Sequence, residues 1–343
     1  MTPMPPRPAA CLNDYDRGIV SPVTTVTVRV PAKVNLQLAV GPVRPDGYHD
    51  VVTVYHAVSL FDELTVAPAE RDRVRVTGEG ADSVPTDGGN LAARAADALA
   101  GAVGPGVRDA PGLAIRITKR IPVAAGLAGG SADAAATLVA CNELWHAGLS
   151  QQELCELAAG IGSDVAFALL GGTAIGIGRG EQVTPALTSG TFHWVLAFAT
   201  EGLSAADVYA ACDRIRARNS RRGNASGPEP ADVSEPVLDK ALMAALRSGD
   251  PAELGPLLSN DLQSAAISLR PELRRTLVAG RELRAVGALV SGSGPTCAFL
   301  ARDRRHARDL AAALAGAGVC RTVAQVVGPA PGATVVTDTA EQA

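Results

Sequence analysis

Residues 121–145 read IPVAAGLAGGSADAAATLVACNELW. The glycines at 126, 129 and 130 and the alanines around them leave backbone N–H groups uncovered. The alanine-rich run that follows carries a helix, and its positive end points back at the loop. A Pro122–Asp133 loop of this kind suits the oxygens of a polyphosphate. It is not a Walker A loop, because no Gly-Lys-Ser/Thr follows, and it lacks the GxGxxG of a dinucleotide fingerprint. The same glycines also serve a tight loop that lets a helix pack closely on a sheet. Ser131 reads as a helix cap, a phosphate donor or an indirect magnesium ligand, and on its own the cap is the simplest of the three. Within the helix, Leu138, Cys141 and Trp145 share one face by their spacing.

Outward from this loop the chain alternates strands and helices. Upstream, TVTVRV (25–30), VNLQLAV (34–40), 50–60, 62–67, 72–77 and LAIRITK (113–119) alternate as half-buried strands do, with a Gly/Pro turn at 41–48 and a helix over 90–103. Downstream, helices are expected at 151–159 and 162–172, the second capped by Ser163, then a strand at 173–178. A second unit begins near residue 190. It has strands at 193–199, 288–292, 296–300 and 321–327 and helices at 205–217, 237–247, 251–258, 271–285 and 303–315. Helices set around an antiparallel sheet suggest an α+β, ferredoxin-like plan for it. The expected organisation is a disordered leader (1–22), of which 1–19 fall outside the protein if Val20 is the start, an N-terminal domain (23–188), a C-terminal domain (189–329) with a mobile insert (219–236), and a flexible tail (330–343).

Composition narrows the class. At 343 residues the chain is too long for one small module and suits two domains. Apolar residues make up 47% and charged ones 19%, enough to bury large cores. No apolar run approaches the roughly 18 residues of a membrane span. The formal charge of −4 gives no basic footprint for nucleic acid or anionic lipid. The six cysteines show no CxxC pair and sit mostly in apolar runs, so they read as reduced core thiols of a cytoplasmic protein. Of the 31 basic residues only Lys33, Lys119 and Lys240 are lysines, so a Lys inside an apolar stretch needs its own explanation.

Three motifs in order resemble those of the GHMP small-molecule kinases: Pro31-Ala32-Lys33-Val34-Asn35-Leu36, the Pro122–Asp133 loop, and Ser291-Gly292-Ser293-Gly294-Pro295-Thr296. Further matches are similar to one branch of that family, whose acceptor is a cytidyl-diphosphate sugar alcohol. These are Pro45-Asp46-Gly47-Tyr48-His49, Asn90-Leu91 with Arg94-Ala95, Lys119-Arg120-Ile121-Pro122, and Gly162-Ser163-Asp164-Val165. The resemblance covers roughly residues 24–328. One departure is Ala128, where the family often has Gly; the loop path is expected to survive the alanine if φ there is negative.

The resemblance implies two α+β domains with the active site in the cleft between them. The implied activity is ATP-dependent phosphorylation of the 2-hydroxyl of the methylerythritol unit, in non-mevalonate isoprenoid precursor synthesis, with Mg2+ held mainly through ATP. No nucleic-acid or membrane partner is expected, and the chain is expected to be a monomer or weak homodimer. On spacing alone Asp164 is a second cap residue beside Ser163, and Lys33 a strand-end lysine reaching for water. The resemblance makes Asp164 the general base and Lys33 the cation that orients it or sits over the transferring phosphoryl. By the same resemblance, Pro122, Val123, Ala124, Ala125, Gly126, Leu127, Ala128, Gly129, Gly130, Ser131 and Ala132 surround the phosphates of ATP. Lys119 and Asn90 are implied to meet its adenine or ribose. Asn35, Tyr48, His49, Tyr209, Gly292, Ser293 and Gly294 are implied to hold the acceptor, with His49 reading the cytosine edge and the tyrosines packing near the base. The 291–296 turn either offers backbone donors or only forms a hairpin. Two other readings stay open: a homoserine- or mevalonate-type kinase, and a non-catalytic nucleotide-binding regulator on the same fold.

Overall fold

The computed structural model describes residues 25–107, 111–223 and 233–336. The alternating β-branched residues after Thr25 build β1 (Val26–Val43), and β2 (His49–Ala69) folds back on it across the turn at 44–48. The sequence pattern divides each of these strands in two. The first runs through because Pro31, which cannot donate to the ladder, sits at a register shift between Pro31 and Ala32 instead of ending the strand. There follow β3 (Arg73–Gly78), α1 (Leu91–Val103), β4 (Gly112–Lys119), α2 (Gly129–Leu144), α3 (Gln151–Ile161), α4 (Val165–Leu170), β5 (Thr173–Ile177) and β6 (Gln182–Pro185). The remainder comprises β7 (Phe192–Phe198), α5 (Ala205–Gly223), α6 (Lys240–Ser248), α7 (Pro251–Leu254), β8 (Ser259–Asn260), α8 (Gln263–Leu269), α9 (Glu272–Glu282), β9 (Gly287–Val290), β10 (Cys297–Ala301), α10 (Arg304–Gly316), β11 (Thr322–Gly328) and β12 (Thr334–Val335).

The strands form two sheets, giving the α+β fold. The first has the order β12-β1-β2-β4-β3, with β5 on β2, β6 beyond it and β8 against β1. The second is the antiparallel β11-β7-β10-β9, a ferredoxin-like arrangement. Residues 186–191 carry the chain from one sheet to the other. Among the described residues no helix is long and apolar enough to cross a membrane.

The core explains α2. Ala132, Ala134, Ala135, Ala136, Leu138, Ala140 and Cys141 are all buried, so the helix is covered on every side and not along one stripe. Small residues let it lie close to its neighbours, and the loop at its start is therefore anchored in the centre of the molecule. Cys141, Cys155, Cys212, Cys297 and Cys320 form no disulfide; Cys11 lies outside the described residues.

Three expectations meet the structure unevenly. The leader lies outside the described residues, as do 224–232 of the insert. The rest of the insert is not irregular: α5 continues to Gly223, and past 233 the chain is pinned to β1, since Gln37 Nε2 donates to Val237 O at 2.7 Å and Asp239 N to Gln37 Oε1 at 3.0 Å. The tail does not fray directly after 329. Residues 330–336 return to the first sheet, where Gly172 N donates to Ala330 O at 2.7 Å, Ala333 N to Ala168 O at 2.9 Å, and β12 pairs with β1.

Candidate active site

Where the second unit meets the first there is a cavity of about 790 Å³, a size ordinary for small-molecule sites. The glycine loop forms one wall. It leaves β4 at Lys119 and enters α2 at Gly129, so the amides of Gly129, Gly130 and Ser131 have no carbonyl one turn earlier to bind. Those three residues line the cavity, together with Ala124, Ala125, Gly126 and Ala128. Pro122, Val123, Leu127 and Ala132 do not; Leu127 and Ala132 are fully buried and support the loop from behind. Ser131 is the third residue of α2 and not its cap, a position held by Ala128. Ala128 keeps the loop path, but at φ 61° and ψ 30°, in the left-handed region, and not at the negative φ expected for an alanine there.

Lys119 and Asn90 do not line the cavity. Lys119 is 3% exposed, and its ammonium donates to the carboxylates of Asp62 and Asp133 (2.7 Å for the latter) and to Gly129 O at 3.2 Å. Burial alone would lower its pKa; the two carboxylates outweigh burial and raise it. Burial pushes Asp133 up to about 7 despite the neighbouring ammonium. Lys119 therefore braces the loop from beneath, its ammonium held by these three partners. Asn90 is the N-cap of α1: its Oδ1 accepts from Ala92 N at 2.8 Å and its Nδ2 donates to Pro85 O at 2.6 Å. Both ends of that side chain are committed to the backbone.

The adjoining wall, bonded to the loop through Gly126 O, carries the charged pair. Lys33 and Asn35 point to one face of β1. Lys33 Nζ donates to Asn35 Oδ1 at 2.6 Å and to Gly126 O at 3.1 Å, and stands 3.7 Å from Asp164 Oδ2. Burial lowers the Lys33 pKa, and Asp164 opposes that shift. Asp164 precedes α4, which is shorter than the expected 162–172, and neither Asp164 nor Ser163 caps it with a side chain. The carboxylate, 26% exposed, faces the cavity and accepts from the Tyr55 hydroxyl at 2.8 Å.

At the far end, His49 Nε2 is 3.0 Å from Asp213 Oδ1, and its ring lies 5.1 Å from that of Tyr209 at 31°. Tyr48 is 54% exposed, with the Arg179 guanidinium 5.1 Å from its ring centroid. All five residues line the cavity, as do Gly292 and Ser293. Gly294 does not; its N–H donates to Ser291 O at 2.8 Å and closes the turn between β9 and β10. The turn also clamps the glycine loop, because Ser291 Oγ donates to Gly126 O at 3.1 Å and Thr296 N to Ala125 O at 3.3 Å. Gly126, at φ 75°, has no room for a side chain: a Cβ would overlap Ser291 O.

Tyr55, Asp213 and Arg179 are absent from the sequence-based set. Asp213 follows Tyr209 by one helical turn, a spacing that puts both on one face. Arg179 sits between two glycines of a turn. Tyr55 is one of only four tyrosines.

Two family models match the chain, the GHMP kinases N terminal domain over residues 90–172 and the GHMP kinases C terminal over residues 242–320. A Mycolicibacterium gilvum protein named 4-diphosphocytidyl-2-C-methyl-D-erythritol kinase is 58% identical over 315 residues, covering 92% of this chain and 94% of the relative. One of the same name from Thermobifida fusca is 56% identical, covering 91% and 99%. The crystal structure of a 4-(cytidine 5'-diphospho)-2C-methyl-D-erythritol kinase superposes with a TM-score of 0.67 at 34% identity, covering 88% of this chain and all of that one. A homoserine kinase from Cytophaga hutchinsonii has a TM-score of 0.68 at 19% identity, covering 94% of this chain and all of that one, and shares the fold. With relatives this similar over nearly their whole length, the chain belongs to the GHMP kinase family, in the same branch as these relatives.

Proposed function

We propose that this chain transfers the γ-phosphoryl group of ATP to the 2-hydroxyl of 4-diphosphocytidyl-2-C-methyl-D-erythritol, a step of non-mevalonate isoprenoid precursor synthesis in the cytoplasm. The observation that carries the reading is the Lys33–Asp164 pair, 3.7 Å apart, lining one cavity with the glycine loop and the His49–Tyr209 pair. The uncommitted amides at the start of α2 suit the nucleotide phosphates. Asp164 takes the proton of the acceptor hydroxyl as its oxygen attacks the γ-phosphorus, a contribution of about 10²–10⁴-fold. Lys33 stabilises the charge on the transferring group, and Asn35, one hydrogen bond away, holds that ammonium in place. Most of the remaining effect is positioning, as is general for phosphoryl transfer.

His49, Tyr209 and Tyr48 receive the cytosine. An imidazole whose Nε2 is engaged by Asp213 keeps Nδ1 for a base edge, and the Tyr209 ring offers a stacking surface. Gly292 and Ser293 border the same space. Mg2+, bound with the nucleotide, would supply charge neutralisation at the phosphates. Among the described residues no group of three or more His, Cys, Asp or Glu is placed to hold a metal, and Asp133 is buried against Lys119. Ser131 is the side chain of the loop left to assist. Every residue named comes from one chain, so a monomer suffices. The base-binding end favours this acceptor over homoserine or mevalonate, and the Lys33–Asp164 pair argues against a non-catalytic regulator.

The test is ADP release by the purified protein with the cytidyl-diphosphate sugar alcohol against homoserine, mevalonate and simple polyols. Selective turnover of the first is expected. Equal or better turnover of another alcohol sinks the substrate assignment, and ATP binding without acceptor-dependent ADP release sinks the enzyme.

A further inference from the structure

We propose that Tyr55 is a positioning residue for this reaction, holding one carboxylate oxygen of Asp164 so that the other faces the acceptor hydroxyl and Lys33. The inference rests on the reading of Asp164 as the base. Tyr55 stands directly opposite Asn35 in the β1–β2 ladder, so its side chain rises on the face that carries Lys33 and Asn35. Its hydroxyl donates to Asp164 Oδ1 at 2.8 Å, while Lys33 approaches Oδ2. The two oxygens are thereby given different partners from different strands.

The ring is held as firmly as the hydroxyl. Tyr55 is 2% exposed and stacks on Phe167, centroids 4.8 Å apart at 24°. Phe167 belongs to α4, the helix that Asp164 begins, so one side chain grips both the base and the element that carries it. On the other side the slot is cut by two glycines. A Cβ on Gly176 would come 2.5 Å from Tyr55 Cε2, and one on Gly180 would overlap the phenol oxygen. Gly180 O accepts a second, longer bond from the same hydroxyl at 3.4 Å. Burial, then the Asp164 charge, raise the phenol pKa well above its ordinary value, so Tyr55 stays a donor. The other ionisable groups around this carboxylate and phenol are Lys33 from β1, Tyr209 from α5 and Glu181 beyond the β5 turn.

Tyr55 borders the same cavity, but its hydroxyl is engaged by Asp164 Oδ1 and Gly180 O, so its part is argued through that carboxylate and the kinetics below must separate it from substrate contact. Tyr55→Phe keeps the ring, the stacking and the slot and removes one oxygen. A hydrogen bond to a charged group is worth enough to change a rate by about tenfold or more. The expected result is a kcat lowered about tenfold, with KM for ATP and for the cytidyl acceptor held within about twofold and the melting midpoint kept. In an Asp164→Asn background the same change should cost less than about threefold, because the hydroxyl acts only through that carboxylate. Gly180→Ala, which crowds the phenol oxygen, should lower kcat in the same way. An unchanged kcat in Tyr55→Phe, a KM that rises in step with the loss, or an equal loss in the Asp164→Asn background would each overturn the proposal. If Asp164→Asn itself turns over normally, the base assignment fails first, and the two failures are told apart by that single measurement.

Discussion

Replacing Lys119 by Met separates two roles that this lysine can have in a nucleotide-binding protein. The structure commits all three ammonium protons to Asp62, Asp133 and Gly129 O, behind the loop that lines the cavity. Methionine keeps the length of the side chain and removes the charge. Asp62 then retains two backbone donors, Arg120 N at 2.6 Å and Ile121 N at 2.9 Å. Asp133 loses its ion-pair partner, and its Oδ1 already has no hydrogen-bond partner among the described residues. Breaking a buried pair from one side costs about 3–5 kcal/mol. The penalty should depend on pH. Burial holds Asp133 at about 7 in the folded chain, above its unfolded value of 3.8, so the folded state binds the extra proton and this group's contribution is lost as pH rises through that window. Removing the ammonium moves the folded value higher still, so the penalty is larger at about pH 8 than at about pH 5.5. Urea denaturation at the two pH values, with ATP titrated in parallel, measures both effects. A loss below about 1 kcal/mol with ATP binding abolished would mean that Lys119 contacts the nucleotide and that the brace is wrong.

Asp164→Asn should lower kcat by about 10²–10⁴-fold with ATP affinity little changed, and near-normal turnover would remove Asp164 from the base role. His49→Ala should raise KM for the cytidyl acceptor more than it changes ATP affinity; steady-state kinetics with each substrate varied decides, and an unchanged acceptor KM refutes the assignment. Ala128→Gly should stabilise the fold by about 0.5–1 kcal/mol, because the left-handed φ of 61° costs an alanine more than glycine loses in chain entropy. A lower melting midpoint in that variant would show that the alanine methyl is worth more in packing than its backbone costs.

The parts of the site that could be read from the chain are those whose chemistry is local. A glycine loop followed by a helix announces its own amides, and a lysine within apolar strand segments of an Arg-rich protein draws notice. The partners of Lys119 are hidden for the opposite reason. At a strand end it reads as a lysine reaching for water, whereas its partner Asp62 lies 57 residues away within β2. The sequence pattern had broken that strand at 60–62, which hid the conflict that an aspartate in the body of a strand should raise. Tyr55 looks like one more residue of an alternating strand, and it acquires meaning only when the β1–β2 register sets it opposite Asn35 and α4 brings Asp164 over it. The short β8 and β12 leave no pattern of their own, because each is held by the strand it meets.

The three motifs, far apart in the chain, converge on one peptide group. Gly126 O, in the second motif, accepts from Lys33 Nζ of the first and from Ser291 Oγ of the third, both at 3.1 Å. Lys33 therefore spends one proton on that carbonyl and another on Asn35 Oδ1 at 2.6 Å. Its separation from Asp164, 3.7 Å, is close enough for charge attraction and too long for a hydrogen bond. The third proton faces Asp164 and, on the proposed reading, an oxygen of the transferring phosphoryl group. A substitution in the 291–296 turn that shifts the Gly126 carbonyl will consequently move the ammonium relative to Asp164 without touching either substrate, which makes the third motif part of the charge arrangement as well as a wall of the cavity.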